Sequence, residues 1–333
     1  MNANVNRQVL LVEKPAGKLG LEHFKVTESK IPEPAAGEVL LRVHYISLDA
    51  ANRAWMHGAT YRSALENNTV MAGGGIGEVI SSNAPGFSPG DIVFGDTGWQ
   101  QYAAVPAKQL TRMPAMKPMS HLLSVYGIAG LTAYFGLLHV GRAKAGETVV
   151  VSAAADSVGS IVGQIARIKG CRVVGIAGGA DKCQWLTSEL GFDAAVDYKA
   201  PGMFKALKAA APSGIDAYFD NVGGDILEAC ISQMNLRGRI ACCGAISQYD
   251  GVPSGTGPRG VPGLIVVKRL TMQGFIVMDY MNERDAALAD LKSWVDSGQL
   301  KVQEDIIDGI ESTPQALIGL LAGENRGKRM IRL

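Results

Sequence analysis

The segment 146–170, GETVVVSAAADSVGSIVGQIARIKG, constrains the fold of this chain more than any other stretch. It begins with Thr148 to Val151, a β-branched and apolar run with the length of a buried parallel strand. A turn of small residues follows, and Gly159 and Gly163 then lie in the first part of an amphipathic helix. A second β-branched strand, 171–176, comes next. This order of strand, turn, helix and strand predicts a βαβ unit of the kind that binds a dinucleotide at its first turn.

The turn of this unit departs from the glycine-rich template of dinucleotide sites. In the G-x-G-x-x-G spacing the glycine positions fall on Ala154, Asp156 and Gly159, so only the last is glycine. We expect Asp156, Ser157 and Val158 to lie at the cofactor pyrophosphate, where unpaired helix N–H groups point. A carboxylate there meets like charge. Either its side chain turns outward and caps the helix, which we favour because Asp is a preferred N-cap, or it faces the cofactor and weakens binding.

The end of the second strand indicates which dinucleotide is bound. Sites for NAD place an acidic side chain there to hold the ribose 2′-hydroxyl. This chain has Ile-Ala-Gly-Gly at 176–179 and no carboxylate, and Lys182 lies just beyond. An ammonium in place of the acid suits a 2′-phosphate and therefore predicts NADP(H). The alternative is that Lys182 is a solvated residue in the first turn of a helix, beside Asp181.

Composition excludes several classes of protein. The 333 residues suggest two domains, and 47% hydrophobic against 19% charged residues provides ample core material. A net charge of +1 gives no electrostatic case for nucleic acid or an anionic membrane as partner. The absence of a signal segment and of a long apolar run predicts a soluble cytoplasmic protein. The five cysteines form no CxxC pair and are expected to be buried thiols in a reducing compartment.

The pattern of predicted secondary structure changes near residue 125. Before it lie short strand-like runs between Gly and Pro residues, typical of an all-β, barrel-like unit, at Gln8 to Val12, Gly37 to Val43, Gly75 to Ile80 and Asp91 to Phe94. From about 131 to 300, helical and β-branched segments alternate, as in a doubly wound α/β domain. Further strands are predicted at Ala194 to Val196, Asp216 to Phe219 and Arg239 to Cys242, a helix at 282–297 and a returning strand at 328–333.

Eight blocks along the chain carry a family resemblance. They are Ser47-Leu48-Asp49 with Arg53, 130–136 (GLTAYFG), 162–164 (VGQ), 178–182 (GGADK), 220–224 (DNVGG), 243–249 (CGAISQY), 272–277 (MQGFIV) and 323–328 (GENRGK). In this order they resemble the zinc-free branch of the medium-chain dehydrogenase/reductase superfamily, which comprises prostaglandin reductases, alkenal double-bond reductases and bacterial curcumin reductases. The resemblance implies a Rossmann doubly wound parallel sheet inserted into a GroES-like β-barrel catalytic domain. The implied boundaries are 1–126 for the catalytic domain, 127–299 for the NADP-binding domain and 300–333 for the returning tail.

The resemblance also implies roles for individual residues. Those expected at the 2′-phosphate and adenosine side are Gly178, Lys182 and Tyr198. Further cofactor contacts are expected at Thr132, Asn221, Cys243, Ser247, Tyr249, Phe275, Val277 and Asn325. The chain departs from the family in three places: Asp156 replaces a glycine, 50–52 (AAN) replaces a proline-aromatic-methionine run, and 128–129 (IA) replaces methionine-proline.

The sequence argues against a catalytic zinc ion and for a side-chain hydroxyl as the proton donor. The first domain contains no cysteine, and its histidines lack ligand-like spacing, so we predict no metal and ordinary packing or surface roles for the histidines. Reduction of an α,β-unsaturated carbonyl leaves an enolate, which a hydroxyl donor stabilises. Tyr249 is the first candidate and Tyr61 the second, while water or the nicotinamide ribose hydroxyl remain alternatives. Arg53 is expected to pair with Asp49 or to contact ligand.

The sequence thus predicts an NADPH-dependent reductase that transfers hydride to the β-carbon of enones and enals. The expected substrate is a small hydrophobic electrophile and the expected assembly a homodimer. Quinone reduction and non-catalytic NADPH binding are the alternatives. The segment 251–262 is rich in Gly and Pro, and its place just after Tyr249 favours a lid over the substrate, with a surface excursion as the alternative.

Overall fold

The computed structural model describes residues 5–250 and 258–333, so most of the predicted lid segment lies outside the described residues. Its strands, in chain order, are β1 (Val5–Leu11), β2 (Phe24–Lys30), β3 (Glu38–Ser47), β4 (Thr69–Val70), β5 (Gly74–Ser82), β6 (Ile92–Asp96), β7 (Tyr102–Pro106), β8 (Thr111–Arg112), β9 (Thr148–Ser152), β10 (Arg172–Ala177), β11 (Ala194–Asp197), β12 (Ile215–Asp220), β13 (Met234–Cys242), β14 (Thr271–Gly274), β15 (Glu304–Asp308) and β16 (Lys328–Arg332).

The helices lie mainly in the second half of the chain. They are α1 (Ala51–Ala54), α2 (Ile128–Phe135), α3 (Ser157–Ile168), α4 (Ala180–Ser188), α5 (Met203–Ala210), α6 (Gly224–Gln233), α7 (Val261–Lys268), α8 (Arg284–Asp296) and α9 (Thr313–Leu321). A short 3₁₀ turn, Ile246–Gln248, follows β13. Within the described ranges, no helix has the length and apolar character of a membrane span.

A six-stranded parallel sheet forms the centre of one unit, in the order β11-β10-β9-β12-β13-β14. This is the Rossmann strand order: β10 and β11 are added on one side of β9, and β12, β13 and β14 are added on its other side. Strand β9 is buried along its whole length, which explains why its sequence is continuously apolar rather than alternating. We call this sheet with α2–α8 the parallel unit.

Helices cover both faces of the parallel sheet. On one face, Val149 and Val151 join a core with α2, α3 and α8, and on the other Val150 joins a core with α5 and α6. Gly163 allows α3 to pack closely on Phe192, in the loop before β11, because a Cβ there would collide with that ring. The doubly wound fold predicted from the alternation of strands and helices is confirmed.

The remaining strands form the antiparallel unit, which also contains α1 and α9. Its larger sheet has the order β15-β16-β3-β5-β6-β8 with β7 also paired to β3, and a smaller sheet has the order β2-β1-β4. Strand β16, near the end of the chain, pairs antiparallel with β3 from its first part. The parallel unit is therefore inserted into the antiparallel unit, and the returning tail is confirmed. The exact domain boundaries stay predictions.

Candidate active site

A cleft runs between the two units at the carboxyl ends of the parallel strands, the position where such sheets bind ligands. It consists of two adjoining pockets of about 600 Å³ and about 350 Å³. They share Ala153, Asp156, Ile246 and Leu320 in their walls. We call the larger pocket the reaction end and the smaller one the adenosine end.

The structure brings all the predicted site residues together in this cleft. At the reaction end lie Tyr61, Thr132, Asp156, Ser157, Val158, Asn221, Cys243, Tyr249, Phe275, Val277 and Asn325. At the adenosine end lie Gly178, Lys182, Tyr198 and Ser247, with Asp156 again. The residues come from nine separate stretches of sequence, and their individual roles stay predictions.

Lys182 at the adenosine end is a buried cation rather than a solvated one. It lies in the first turn of α4 and is only 8% exposed. Burial lowers the pKa of its ammonium, although the neighbouring carboxylate of Asp156 raises it. Asp197 at the end of β11 accepts a hydrogen bond from the Gly179 N–H at 2.8 Å, so this carboxylate holds the turn before α4. The alternative that Lys182 is a solvated surface residue is wrong.

Asp156 departs from our expectation. It occupies the N-cap position of α3 in an extended conformation, but within the described residues its side chain makes no capping hydrogen bond. Its carboxylate instead lies 3.6 Å from the Nζ of Lys182. Burial raises the pKa of Asp156, and the positive charges of Lys182 and Arg329 lower it. The expected outward cap is wrong because a cation from the next helix attracts the carboxylate more strongly than the helix N–H groups do.

Two buried polar atoms in the cleft wall lack partners. Among the described residues, the Oγ of Ser157 and the Oδ1 of Asn325 are buried without a hydrogen bond. The Nδ2 of Asn325 donates to the carbonyl of Gly327 at 3.0 Å, which fixes the side chain. Buried polar groups are rarely left unsatisfied. These orphaned atoms, with Lys182 farther along the same cleft, fit a ligand that carries phosphate and amide groups, as NADP(H) does.

Two tyrosine hydroxyls line the reaction end. The hydroxyl of Tyr249 accepts a hydrogen bond from the backbone N–H of Ala245 at 3.0 Å, which leaves its own proton free to donate. The hydroxyl of Tyr61 accepts from the indole N–H of Trp55 at 3.0 Å. Partial burial raises the pKa of Tyr61, so its hydroxyl is protonated at neutral pH. Both candidates can therefore act as proton donors.

A charged cluster from the antiparallel unit forms another part of the wall. Lys328, 2% exposed, places its Nζ 2.5 Å from Asp49 Oδ1 and 2.9 Å from the carbonyl of Leu48. The hydroxyl of Ser47 donates to the other oxygen of Asp49 at 2.5 Å. Arg53 pairs with Asp250 at 3.0 Å, so neither of the two alternatives for it, an ion pair with Asp49 or a ligand contact, is what the structure has. Lys328, distant in sequence, already neutralises Asp49.

Sequence reasoning missed three polar residues around the reaction end. The sequence predicts no role for Lys328, beyond its place in a family block, or for Asp250, and it predicts only a packing or surface role for His57. His57 Nε2 lies 2.8 Å from the carbonyl oxygen of Tyr249. The signal that could have pointed to Asp250 was its position directly after Tyr249.

Comparison with known proteins identifies the family. Residues 7–113 match the family model described as the N-terminal domain of oxidoreductase, and residues 157–293 match the one described as zinc-binding dehydrogenase. The NADPH-dependent curcumin reductase of Escherichia coli K12 is 40% identical over 98% of this chain and 97% of its own length. Prostaglandin reductase 1 of Bos taurus is 42% identical over 93% of each chain. The crystal structure of CurA from Vibrio vulnificus in complex with NADPH superposes with a TM-score of 0.92, at 41% identity and 98% coverage of both chains.

The chain belongs to the medium-chain dehydrogenase/reductase family, in the branch of the prostaglandin, alkenal and curcumin reductases. Five of the residues at which the sequence was expected to depart from the family pattern, Asp156, Ala50, Ala51, Ile128 and Ala129, line the reaction end.

Metal ligation in this family member was predicted to be absent. No group of three or more His, Cys, Asp or Glu side chains in the described part of the chain could hold a metal ion. A catalytic zinc site needs three such protein ligands with an open fourth position. That the protein works without a metal stays a prediction, which chelation tests below.

Proposed function

We propose that this protein is an NADPH-dependent oxidoreductase that reduces the C=C bond of α,β-unsaturated ketones and aldehydes. The observation that carries the proposal is the composition of the reaction end. Phe275 and Val277, expected at the nicotinamide, share one cavity with the proton-bearing hydroxyl of Tyr249. The curcumin, prostaglandin and alkenal reductases to which the chain is similar support the same class of reaction.

The chain's own side chains divide the work of holding the cofactor. When bound, NADPH supplies the hydride that adds to the β-carbon and leaves negative charge on the carbonyl oxygen. Lys182 and Tyr198 would hold the 2′-phosphate and adenosine. Ser157, at the amino end of α3, would bind the pyrophosphate with the free N–H groups of that helix. Asn325 would satisfy its orphaned oxygen by accepting an N–H from the cofactor.

Tyr249 stabilises the negative charge that develops on the substrate oxygen and then supplies a proton. Its O–H donates a hydrogen bond to the substrate oxygen as the negative charge develops there. The N–H of Ala245, bonded to the same hydroxyl, stabilises the phenolate that remains after proton transfer, because a hydrogen bond to the charged form favours it. The apolar wall of the cavity, including Leu123, Ile128 and Met281, would pack against the carbon skeleton of a hydrophobic substrate.

The assembly and the location follow as part of this proposal. Strand β14 is the edge strand of the parallel sheet and is exposed along its length. Near it in sequence, Val266 and Val267 of α7 are 73% and 70% exposed. An open edge with apolar neighbours suits pairing with a second copy, which supports a homodimer.

The five cysteines are free thiols, which supports a reducing, cytoplasmic location.

A substrate panel tests the proposed function. Loss of NADPH absorbance is followed with a short enal, an enone, a saturated ketone of the same length and a quinone. We expect turnover of the enal and the enone and none of the saturated ketone. Turnover of the quinone alone would replace the proposal by quinone reduction, and binding of NADPH without turnover of any compound would indicate a non-catalytic binding protein.

A further inference from the structure

Arg53 is an arginine with no exposed surface that the proposed reaction does not use. It is 0% exposed and does not line either pocket of the cleft. Its Nη2 donates to the carbonyl of Gly17 at 2.7 Å, and its Nε donates to Asp250 Oδ1 at 3.0 Å. Burying a charge costs free energy unless it is paired and hydrogen-bonded. The buried Arg53 therefore fixes the positions of its partners, Asp250 and the backbone at Gly17.

The contacts of Arg53 join the two units at Asp250, the residue that follows Tyr249 in sequence. Asp250 belongs to the parallel unit and is the residue after Tyr249, whereas Arg53 and Gly17 belong to the antiparallel unit. The same Asp250 oxygen also accepts the backbone N–H of Leu19 at 2.8 Å. One carboxylate oxygen thus receives two donors from the opposite unit, and Arg53 and Asp250 are 197 residues apart in sequence.

His57 adds a contact to the backbone of Tyr249 itself. Its Nε2 lies 2.8 Å from the Tyr249 carbonyl oxygen, to which it donates in the tautomer that carries the proton on Nε2, and 3.2 Å from the Nη1 of Arg53. The antiparallel unit therefore holds the carbonyl of Tyr249 and the side chain of the next residue. The hydroxyl of Tyr249 is held from the other direction by the N–H of Ala245.

We propose that Arg53, Asp250 and His57 form an interdomain latch that positions the Tyr249 hydroxyl for proton transfer. This inference rests on the proposed function, in which Tyr249 is the proton donor. The three are positioning residues, because they hold the backbone around Tyr249 and do not themselves reach the substrate. The latch also makes the reactive geometry depend on the contact between the two units, since neither unit alone contains both sides of it.

The test combines latch variants with removal of the hydroxyl that the latch is proposed to position. Asp250→Ala removes the acceptor of Arg53 and Leu19, and Asp250→Asn retains an oxygen in the same place. His57→Ala removes the contact to the Tyr249 carbonyl at the protein surface, where folding is least affected. Each variant is made with Tyr249 and with Tyr249→Phe. We measure kcat and KM for an enone, NADPH binding by fluorescence titration, and thermal unfolding.

The control is a matched ion pair elsewhere in the parallel unit. Arg239 donates to both oxygens of Glu147, at 3.0 Å and 2.5 Å, and both side chains are largely buried. Glu147 lies just before β9, at the end of that strand opposite the cleft, and lines neither pocket. Glu147→Gln should lower the unfolding temperature without changing kcat.

The latch predicts a loss of kcat that requires the Tyr249 hydroxyl. A misplacement of about 1 Å can cost up to ~100-fold in rate, and we expect Asp250→Ala to lower kcat ~10-fold and His57→Ala ~3-fold. NADPH binding should change less than ~2-fold, and Asp250→Asn should recover most of the loss. In the Tyr249→Phe background the same substitutions should have almost no further effect on kcat.

Two results would overturn the inference in different ways. If Tyr249→Phe lowers kcat but the latch variants do not, or if they lower it equally in both backgrounds, the latch has no positioning role and the proposed function stands. If Tyr249→Phe itself leaves kcat unchanged, the proposed role of Tyr249 and the latch both fail. If Asp250→Ala does not fold, the His57→Ala pair decides between these outcomes.

Discussion

The two ends of the cleft are built in different ways. The adenosine end contains Lys182, Tyr198 and Gly178, which all follow strands of the parallel sheet within a short span of sequence. The reaction end combines segments from both units. Its charged pair, Asp49 and Lys328, joins residues 279 positions apart.

This difference separates recognition of the cofactor from arrangement of the reaction. The residues of the adenosine end that are expected to select the cofactor, Gly178, Lys182 and Tyr198, come from one βαβ unit and the strand that follows, so changes to them should alter cofactor affinity and choice. The reaction end depends on how the antiparallel unit packs on the parallel one, so changes there should alter turnover with less effect on affinity. The predictions below test that separation, from the largest expected effect to the smallest.

Substitution of Tyr249 by Phe at the reaction end should have the largest effect. General acid catalysis contributes ~100- to 10,000-fold, so we expect kcat to fall by ~100-fold or more. The affinity for NADPH should change much less, because the ring and its packing are retained. Steady-state kinetics with an enone and fluorescence titration with NADPH measure the two quantities. Unaltered turnover would leave Tyr249 with a packing or cofactor-orienting role.

Substitution of Lys182 by Ala at the adenosine end should change cofactor choice instead. A charge-assisted hydrogen bond contributes ~1.5–3 kcal/mol, which corresponds to ~10- to 150-fold in affinity. NADPH binding should weaken by this range, while NADH binding and kcat at saturating NADPH remain nearly unchanged. Lys205→Ala, at an exposed position of α5, is the control for loss of one positive charge. Equal losses for NADPH and NADH would contradict the assignment of Lys182 to the 2′-phosphate.

Replacement of Asp156 by Gly tests the junction between the two ends. Because Asp156 pairs with Lys182 and faces the turn expected at the pyrophosphate, we expect its removal to tighten NADPH binding about tenfold, or ~1.4 kcal/mol. The unfolding temperature should change little, since Asp156 caps no helix N–H in the described structure. Weaker NADPH binding would show that Asp156 instead holds Lys182 in its binding position.

Asp156 should also make the cofactor affinity depend on pH. Burial raises the pKa of this carboxyl, so it takes up a proton at a higher pH than a solvated aspartate does. Protonation removes the negative charge beside Lys182. The ratio of NADPH affinities between the wild type and Asp156→Asn should therefore approach one as the pH is lowered and Asp156 takes up its proton, the titration of the 2′-phosphate itself cancelling in the ratio. A ratio that stays constant over the whole pH range in which the protein is folded would contradict this.

Removal of metal ions should have the smallest effect of all. The proposed proton donor is a tyrosine hydroxyl, so neither end of the cleft requires a metal. Activity should survive dialysis against a strong chelator, and elemental analysis should find no stoichiometric zinc. Inhibition by the chelator that added zinc specifically reverses would contradict the mechanism proposed for the reaction end.

The adenosine end could be predicted from the sequence because its determinants are local. The β-branched run at 148–151, the spacing of Gly159 and Gly163 and the lack of an acid after the second strand all lie within one βαβ unit. Gly159 is needed because a Cβ there would collide with the backbone of Ala153. The family blocks then predicted the fold class, which is confirmed, and the cofactor class, which the NADP-dependent relatives support.

The contacts of charged residues could not be predicted in the same way. We expected Asp156 to cap its own helix, and for Arg53 the sequence left open an ion pair with the nearby Asp49 or a ligand contact, because local sequence offers those partners first. In the structure, Asp156 meets Lys182 from α4, and Arg53 meets Asp250 from the other unit. Such pairs are selected by the packing of distant segments, where a buried charge takes the partner that burial makes most favourable.

The central claim is that the protein transfers hydride from NADPH to the β-carbon of an enone. The most direct test is to supply NADPH with deuterium at the transferable position and to locate the label in the product by mass spectrometry and NMR. We predict one deuterium on the β-carbon of a saturated ketone, with the carbonyl intact and the α-carbon carrying solvent hydrogen. Deuterium on the carbonyl carbon of an allylic alcohol, or an unlabelled product, would contradict the account.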